Sequence, residues 1–416
     1  MMDKLRFPVR QALPMLAGAA CVLSSALPAL AQTTVDCSTL PGVVYVGGST
    51  AVKPFLTEVA KHLVQGTPPI TVVYQSLGSC TGVQNMMTSP ATALNGNGIY
   101  WDSTGAADLT CSLPIDGSAN TDIGVSDVWA ETCSQTRPAG IVDFYGPVQS
   151  MTFAVPKSSS QHSISAEAAY VVFGFPDGSP SISPWTVTAR KEARATSSGT
   201  LQMISAALKQ VNSSFSASKF QGNANSGAGV VVTNLAASAT AGNADSAIGI
   251  LATDQIDSNR GSVRALALQF KDQACGYTPD STESSYDKAN VRDGHYMIWG
   301  PLHMLVQSTD GKKADKVNVD TVVKYLTGET LPTGWDLIAV EAQKGVVPDC
   351  AMRVTRSTEV GPLASYMPKH SCECKYLDAT TGNSGCQKCT DANGTVSASC
   401  TDPTKKVCNY GFCEVQ

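Results

Sequence analysis

Four short stretches of this chain carry residues suited to holding a small oxyanion. They are Gly48-Ser49-Thr50-Ala51, Gly78-Ser79-Cys80-Thr81-Gly82, Ser126-Asp127, and Arg194 with Ser198-Gly199-Thr200. Hydroxyls and backbone N–H groups donate hydrogen bonds, and an arginine fork matches a tetrahedral anion two oxygens at a time. Three of the four stand at the entry to a segment with helical spacing. A helix start leaves N–H groups unpaired and carries partial positive charge, which favours phosphate-like ligands. Asp127 is the acceptor of the set. It can bond only a ligand that still carries a proton, so monohydrogen phosphate suits it and sulfate meets a like charge. Each stretch alone reads as a turn or a helix cap. Together they read as one site built from separated loops.

Other groups weigh less. His295 and His303 are eight residues apart in apolar company around Trp299, which favours core or cleft-wall roles over metal ligation. Asp143 and Asp293 have no evident partner in the sequence. Cys372-x-Cys374 and Cys386-x-x-Cys389 have spacings that could hold zinc, but disulfides are favoured in an exported chain. No nucleophile–base order or metal-ligand group stands out, so no catalytic residue, metal or cofactor is expected.

The elements that must position the four stretches follow from pattern. Val43–Val46 and Ile70–Tyr74 read as strands, each running into one of the glycine-containing stretches. Lys53–Val64 reads as a helix, with apolar residues at helical spacing at Phe55, Leu56, Val59, Ala60, Leu63 and Val64. A short helix is expected through Val83–Met87, strand ends at Ile123–Asp127 and Gln149–Val155, a helix from Leu201 and another over Val317–Leu326. Residues 88–121 read as an ordered excursion, and residues 157–187 as turns. Strands alternating with helices indicate an α/β protein.

Composition bounds the rest. The 416 residues carry a formal charge of −5 and no basic run, which excludes a nucleic-acid reading. Residues 1–31 read as an export signal: Lys4, Arg6 and Arg10 lead an apolar stretch, and Ala29-Leu30-Ala31 fits a cleavage site. Cys21 keeps a lipoprotein form open. No later segment is apolar enough to span a bilayer, so a soluble, exported chain is expected. Of the 14 cysteines, one lies in the leader, six in the body and seven after residue 370, so at least one thiol is left without an intrachain partner. Past Met367 the chain turns polar and Cys-rich, too poor in large apolar residues for an ordinary core.

The order Gly-Ser-Thr, Tyr74-Gln75-Ser76-Leu77-Gly78-Ser79, Ser126-Asp127, Arg194-x-x-x-Ser198-Gly199-Thr200 and Ala247-Ile248-Gly249 resembles the periplasmic phosphate-binding (PstS-like) proteins of ABC phosphate importers. The likeness spans residues 43–365, with an insertion at 88–121. It implies a class II periplasmic-binding-protein clamshell of two α/β lobes with a double crossover, plus a small disulfide-rich C-terminal appendage. Lobe 1 would comprise 32–151 and 295–368, lobe 2 152–294, and the appendage 369–416. The resemblance also implies a phosphate site in which the Thr50 hydroxyl, the Ala51 N–H, Ser79, Arg194, Ser198, Gly199 and Thr200 donate and Asp127 accepts. The implied partner is an ABC permease in the inner membrane, and the protein would act as a periplasmic monomer; no partner is assigned to the tail. Thr196 departs from the pattern, because the family commonly has there an Asp that braces the arginine. Two alternatives remain: a surface or matrix interaction protein on the same fold that has lost transport, and an exported phosphatase.

Overall fold

The computed structural model describes residues 35–415 apart from 106, 179, 331–333, 392, 393 and 397; the leader expected at 1–31 lies outside the described residues. The strands of the first half are β1 (Val35–Asp36), β2 (Val44–Gly48), β3 (Val72–Ser76), β4 (Asn97–Tyr100), β5 (Leu109–Ser112), β6 (Ile123–Ser126) and the long β7 (Ile141–Pro156). Then follow β8 (Ser163–Ser165), β9 (Lys191–Arg194), β10 (Asn223–Asn225), β11 (Ile248–Ala252), β12 (Val263–Ala265), β13 (Ala267–Gln269) and β14 (Trp299–Gln307). Twelve of these form one sheet in the order β1-β5-β4-β3-β2-β6-β14-β7-β11-β9-β10, with β12 also on β7, while β8 and β13 pair separately.

β7 belongs to both halves of that sheet. Its residues 141–150 pair with β14, and residues 151–156 pair with β11 and β12. The chain thus passes from one half to the other inside a single strand and returns through β14. In the first half β2 lies parallel to β3 and β6; in the second β9 lies parallel to β10 and β11. Strands flanked on both faces read as unbroken apolar runs, as in Ile248–Ala252, which is buried throughout.

The helices are α1 (Lys53–Leu63), α2 (Ser79–Asn85), α3 (Ala166–Gly174), α4 (Gly199–Lys209), α5 (Ala228–Thr240), α6 (Thr253–Ser258), α7 (Ala289–Arg292), α8 (Val317–Leu326), α9 (Leu337–Gln343) and α10 (Glu373–Thr381). α1 buries five of the six apolar residues its spacing singles out, Val64 at its end being half-buried, together with Val319, Val322 and Val323 of α8, against β2, β3 and β6. α4 buries Leu201, Met203, Ile204 and Leu208 against β7 and β11.

Two local expectations need correction. α2 starts at Ser79, so Thr81 and Gly82 lie in a helix rather than a loop. Gly82 is what lets that helix sit on the sheet, since a Cβ there would come within 2.7 Å of the Gly47 and Val125 carbonyl oxygens. Residues 157–187 contain α3, started by the Ser165 hydroxyl accepting from Ala168 N–H; the proline and serine clusters mark its flanks. The excursion at 88–121 is ordered as expected: it carries β4 and β5 and is tied to Cys37 by the Cys37–Cys111 disulfide.

Cys80–Cys133 closes the other body disulfide, and exposed Cys275 is the free thiol among the described residues. The tail is tied to the body by Cys350–Cys372 and internally by Cys374–Cys386, Cys389–Cys408 and Cys400–Cys413. It is also anchored by packing. Tyr376 of α10 and Cys372 join the apolar core that holds Phe153 and Phe173, so the tail extends an existing core instead of building one. The buried Glu414 carboxylate turns back to accept from Cys374 N–H at 2.7 Å, capping the start of α10 near the chain end.

Candidate functional site

Parallel strands that stop side by side present their following residues to a common region. β2 and β6 run in register up to Gly48 opposite Val125, and β3 ends beside β2. Ser49 and Thr50 follow β2, Ser79 follows β3 and Asp127 follows β6. In the other half, Arg194 closes β9, and Thr253-Asp254 follows β11. The Tyr74 phenol donates to the Ser49 carbonyl and fixes the turn that exposes Thr50.

Asp127 is the centre of the first half's contribution, with 2 % of its surface exposed. The Ser49 hydroxyl donates to one carboxylate oxygen at 2.6 Å and the Ser79 hydroxyl to the other at 3.0 Å. Arg194, also 2 % exposed, arrives from the second half. Its Nη2 donates to the Thr50 hydroxyl at 3.0 Å and to the Ser226 carbonyl at 3.3 Å, and its Nε donates to the Asn225 carbonyl at 3.3 Å. A backbone bond from Cys80 N–H to the Ser197 carbonyl, 3.0 Å, joins the halves at the same place. Gly199 begins α4 hard against Asp127: a Cβ there would lie 2.6 Å from a carboxylate oxygen and 2.3 Å from the Ser79 hydroxyl.

The structure therefore brings Thr50, Ser79, Asp127, Arg194 and Gly199 to one buried place. Ser198 and Thr200 are buried at the same helix start. Ala51 is buried, and its N–H donates to the Ser49 hydroxyl at 3.1 Å.

The missing brace at Thr196 has a substitute. The buried Glu192 carboxylate accepts from the side-chain amides of Asn223, Asn225 and Asn234 at 2.9, 2.8 and 2.9 Å. Asn225 in turn offers its carbonyl to Arg194. The guanidinium is held by backbone carbonyls that an acid positions, not by the acid itself. Glu192 stands two residues before Arg194 on β9, and that spacing, with the Asn223 and Asn225 pair, was the available sequence signal.

Burial raises the Asp127 pKa above the ordinary range; the Ser49 and Ser79 hydrogen bonds, Arg194 and His303 pull the other way. Burial lowers that of Arg194, opposed by Asp127 and Asp254. Asp254, which sequence reasoning missed, is buried and pushed up to about 7 by desolvation, with Asp257 and Asp127 adding to the effect. It accepts from the Gln149 and Gln255 amides at 3.1 and 2.7 Å.

Asp143 and Asp293 do have partners. Buried His303 holds Asp143 through Nδ1 at 2.8 Å, with its ring edge on Trp129, and exposed His295 pairs with Asp293 at 2.8 Å. In the tail, Cys389, Cys400 and Cys413 gather closely, but all three are in disulfides, leaving no thiolate for zinc.

No family model matches the chain, and no curated protein matches it. Among solved structures it is similar to a phosphate-bound protein from Clostridium perfringens, titled a putative phosphate ABC transporter substrate-binding protein, at 13 % identity over 74 % of this chain and 99 % of that one, with a TM-score of 0.47. An ABC-type phosphate transport receptor from Vibrio cholerae matches at 15 %, covering 74 % of this chain and 99 % of its own, TM-score 0.45. A hydrogen-peroxide-bound OxyR variant from Corynebacterium glutamicum matches at 8 %, covering 74 % and 69 %, TM-score 0.40. Likeness this loose carries no functional argument.

Proposed function

We propose that the chain is an exported solute-binding protein that captures inorganic phosphate, or a similar tetrahedral oxyanion, for delivery to an ABC permease, and that it performs no covalent chemistry. The observation that carries this reading is the meeting of Arg194 with Thr50 beside Ser79, Asp127 and the start of α4. A buried guanidinium, hydroxyls and helix-start N–H groups can replace the water shell of an anion. Asp127 then selects for a ligand that still has a proton to donate. The two halves of the sheet act as lobes, 32–151 with 295–368 and 152–294, whose hinge closure seats Arg194 against Thr50. Six disulfides fit an oxidising compartment, and no helix among the described residues is long and apolar enough to cross a membrane.

Calorimetric titration of the mature protein with phosphate, and separately with sulfate, tests the proposal. Phosphate should bind and sulfate should bind far more weakly. No heat and no thermal shift with phosphate up to about 1 mM, an affinity limit of roughly −4 kcal/mol, would reject it. One observation favours a second reading, an interaction protein that has lost transport: the Ser49 and Ser79 hydroxyls and the Nε and Nη2 groups of Arg194 already donate to protein acceptors. A phosphate-null titration together with cell-surface retention through residues 369–416 would support that reading instead.

A further inference from the structure

A cavity of about 520 Å³ lies away from the oxyanion site, where the tail meets the body. It is walled by Phe144 and Tyr145 of β7, Tyr366, and Tyr410 of the tail, with Glu341 of α9 inside and Asp349 at its exposed mouth. Glu341 is 3 % exposed, yet among the described residues no hydrogen bond or ion pair reaches its carboxylate. A buried carboxylate without a partner is costly, and a protein keeps one where something pairs with it or where it stays protonated. The groups that face it add no compensation. Asp349 and Asp336 are like charges, and together with burial they push Glu341 up to about 8. Asp336 is engaged by Lys375 and by Ala339 N–H, and Asp349 by the Tyr366 phenol. The basic Lys369 and His370 stand on the exposed rim, where water screens them.

We propose that this cavity binds an organic ammonium group, a primary amine on an apolar stem, with the Glu341 carboxylate as its counter-charge and the aromatic walls around its stem. Tyr145, Tyr366 and Tyr410 line the cavity, and aromatic rings both pack on an apolar stem and attract a cation. The volume suits a small ligand. A metal ion fits less well, because among the described residues no third His, Asp or Glu comes close enough to share an ion with Glu341. Glu341 is protonated at neutral pH, so the arriving ammonium displaces that proton to solvent and leaves a carboxylate–ammonium pair.

The test is calorimetry of the full mature chain with cadaverine at neutral pH, in two buffers of different ionisation enthalpy. Saturable binding with release of close to one proton is expected. Glu341→Gln should weaken it by about tenfold or more, as expected for loss of a buried charge pair. The same variant should raise the thermal midpoint without ligand, because it removes the unpaired acid. Tyr410→Leu, which keeps Glu341, should weaken binding several-fold and serves as the second variant. Phosphate titrations of both variants should be unchanged, which separates this proposal from the fate of the oxyanion site. No binding at about 10 mM cadaverine, binding indifferent to Glu341→Gln, or binding without proton release would each overturn it.

Discussion

Two buried carboxylates lie within electrostatic reach of Arg194 from opposite halves of the sheet, and they are held differently. Asp127 is gripped by two hydroxyl donors and feels the charge of Arg194. Asp254 has two side-chain amides and stands near the like charges of Asp257 and Asp127. Burial raises both; at Asp127 it is opposed by two hydroxyl donors and the Arg194 charge, at Asp254 by amide donors. The difference separates two jobs that residue type alone does not distinguish. In the proposed site Asp127 presents its carboxylate to a ligand that donates a proton. Asp254 is built to change charge near neutrality, close to the guanidinium.

Removing the group both acids face should have the largest effect. Arg194→Ala takes away the only full positive charge of the proposed ligand set, and phosphate affinity should fall by about three orders of magnitude, several kcal/mol. Titration calorimetry reads this directly. A loss under about tenfold would mean that the helix starts carry the binding and that neither acid is matched to an anion through Arg194. Asp127→Asn comes next. It keeps the shape and removes the charge, so the preference for phosphate over sulfate should shrink by about 10- to 100-fold, while phosphate binding at low pH changes less. Unchanged selectivity would remove Asp127 from the ligand's contacts and leave the two acids alike.

Much of this was legible in the sequence, for a physical reason. Helix periodicity and strand ends are local signals, and α1, α8 and the start of α4 fall where pattern places them. Because strand ends converge in an α/β sheet, the order of donor stretches also indicated their meeting. What was not legible depends on distant partners. Val230-Val231-Val232 is a β-branched run, yet it sits inside α5, where Val231 and Val232 pack against β7 and β11. Glu192 and Asp254 look like ordinary acids until Asn223, Asn225, Asn234, Gln149 and Gln255 fold around them. The tail's poverty in large apolar residues was visible, but Tyr376 borrowing the body's core was not.

Asp254 gives the comparison a pH signature. An unfolded aspartate titrates near about 4, and in the fold Asp254 titrates at about 7. Below the first value both states hold the proton and the contribution to stability is full. Between the two the fold keeps a proton that the unfolded chain has released, so stability falls as pH rises, by about 1.4 kcal/mol per pH unit for this one group. Above the folded value the slope ends. Denaturant midpoints of the ligand-free protein from acid to neutral pH should show this decline, and Asp254→Asn should flatten it. An unchanged slope would show that Asp254 does not carry the decline.

The smallest expected effect lies one shell out, at the acid that positions Arg194 without touching it. Glu192 offers only acceptors to three asparagine amides. Glutamine has one acceptor oxygen and puts an N–H₂ group among N–H₂ groups, so at least one of those bonds is lost and Asn225 shifts. Each such bond to a charged acceptor contributes about 1.5–3 kcal/mol, but only part of that reaches the guanidinium. Phosphate affinity in Glu192→Gln should therefore drop by only about three- to tenfold. A purely structural role would lower affinity equally in any background, whereas positioning acts through the arginine. The double variant with Arg194→Ala separates the two: if Glu192 works by orienting the guanidinium, the further loss on adding Glu192→Gln should vanish there. A full additional loss in that background would mean that the carbonyls of Asn225 and Ser226 hold Arg194 unaided, and that the acid absent at Thr196 has no stand-in.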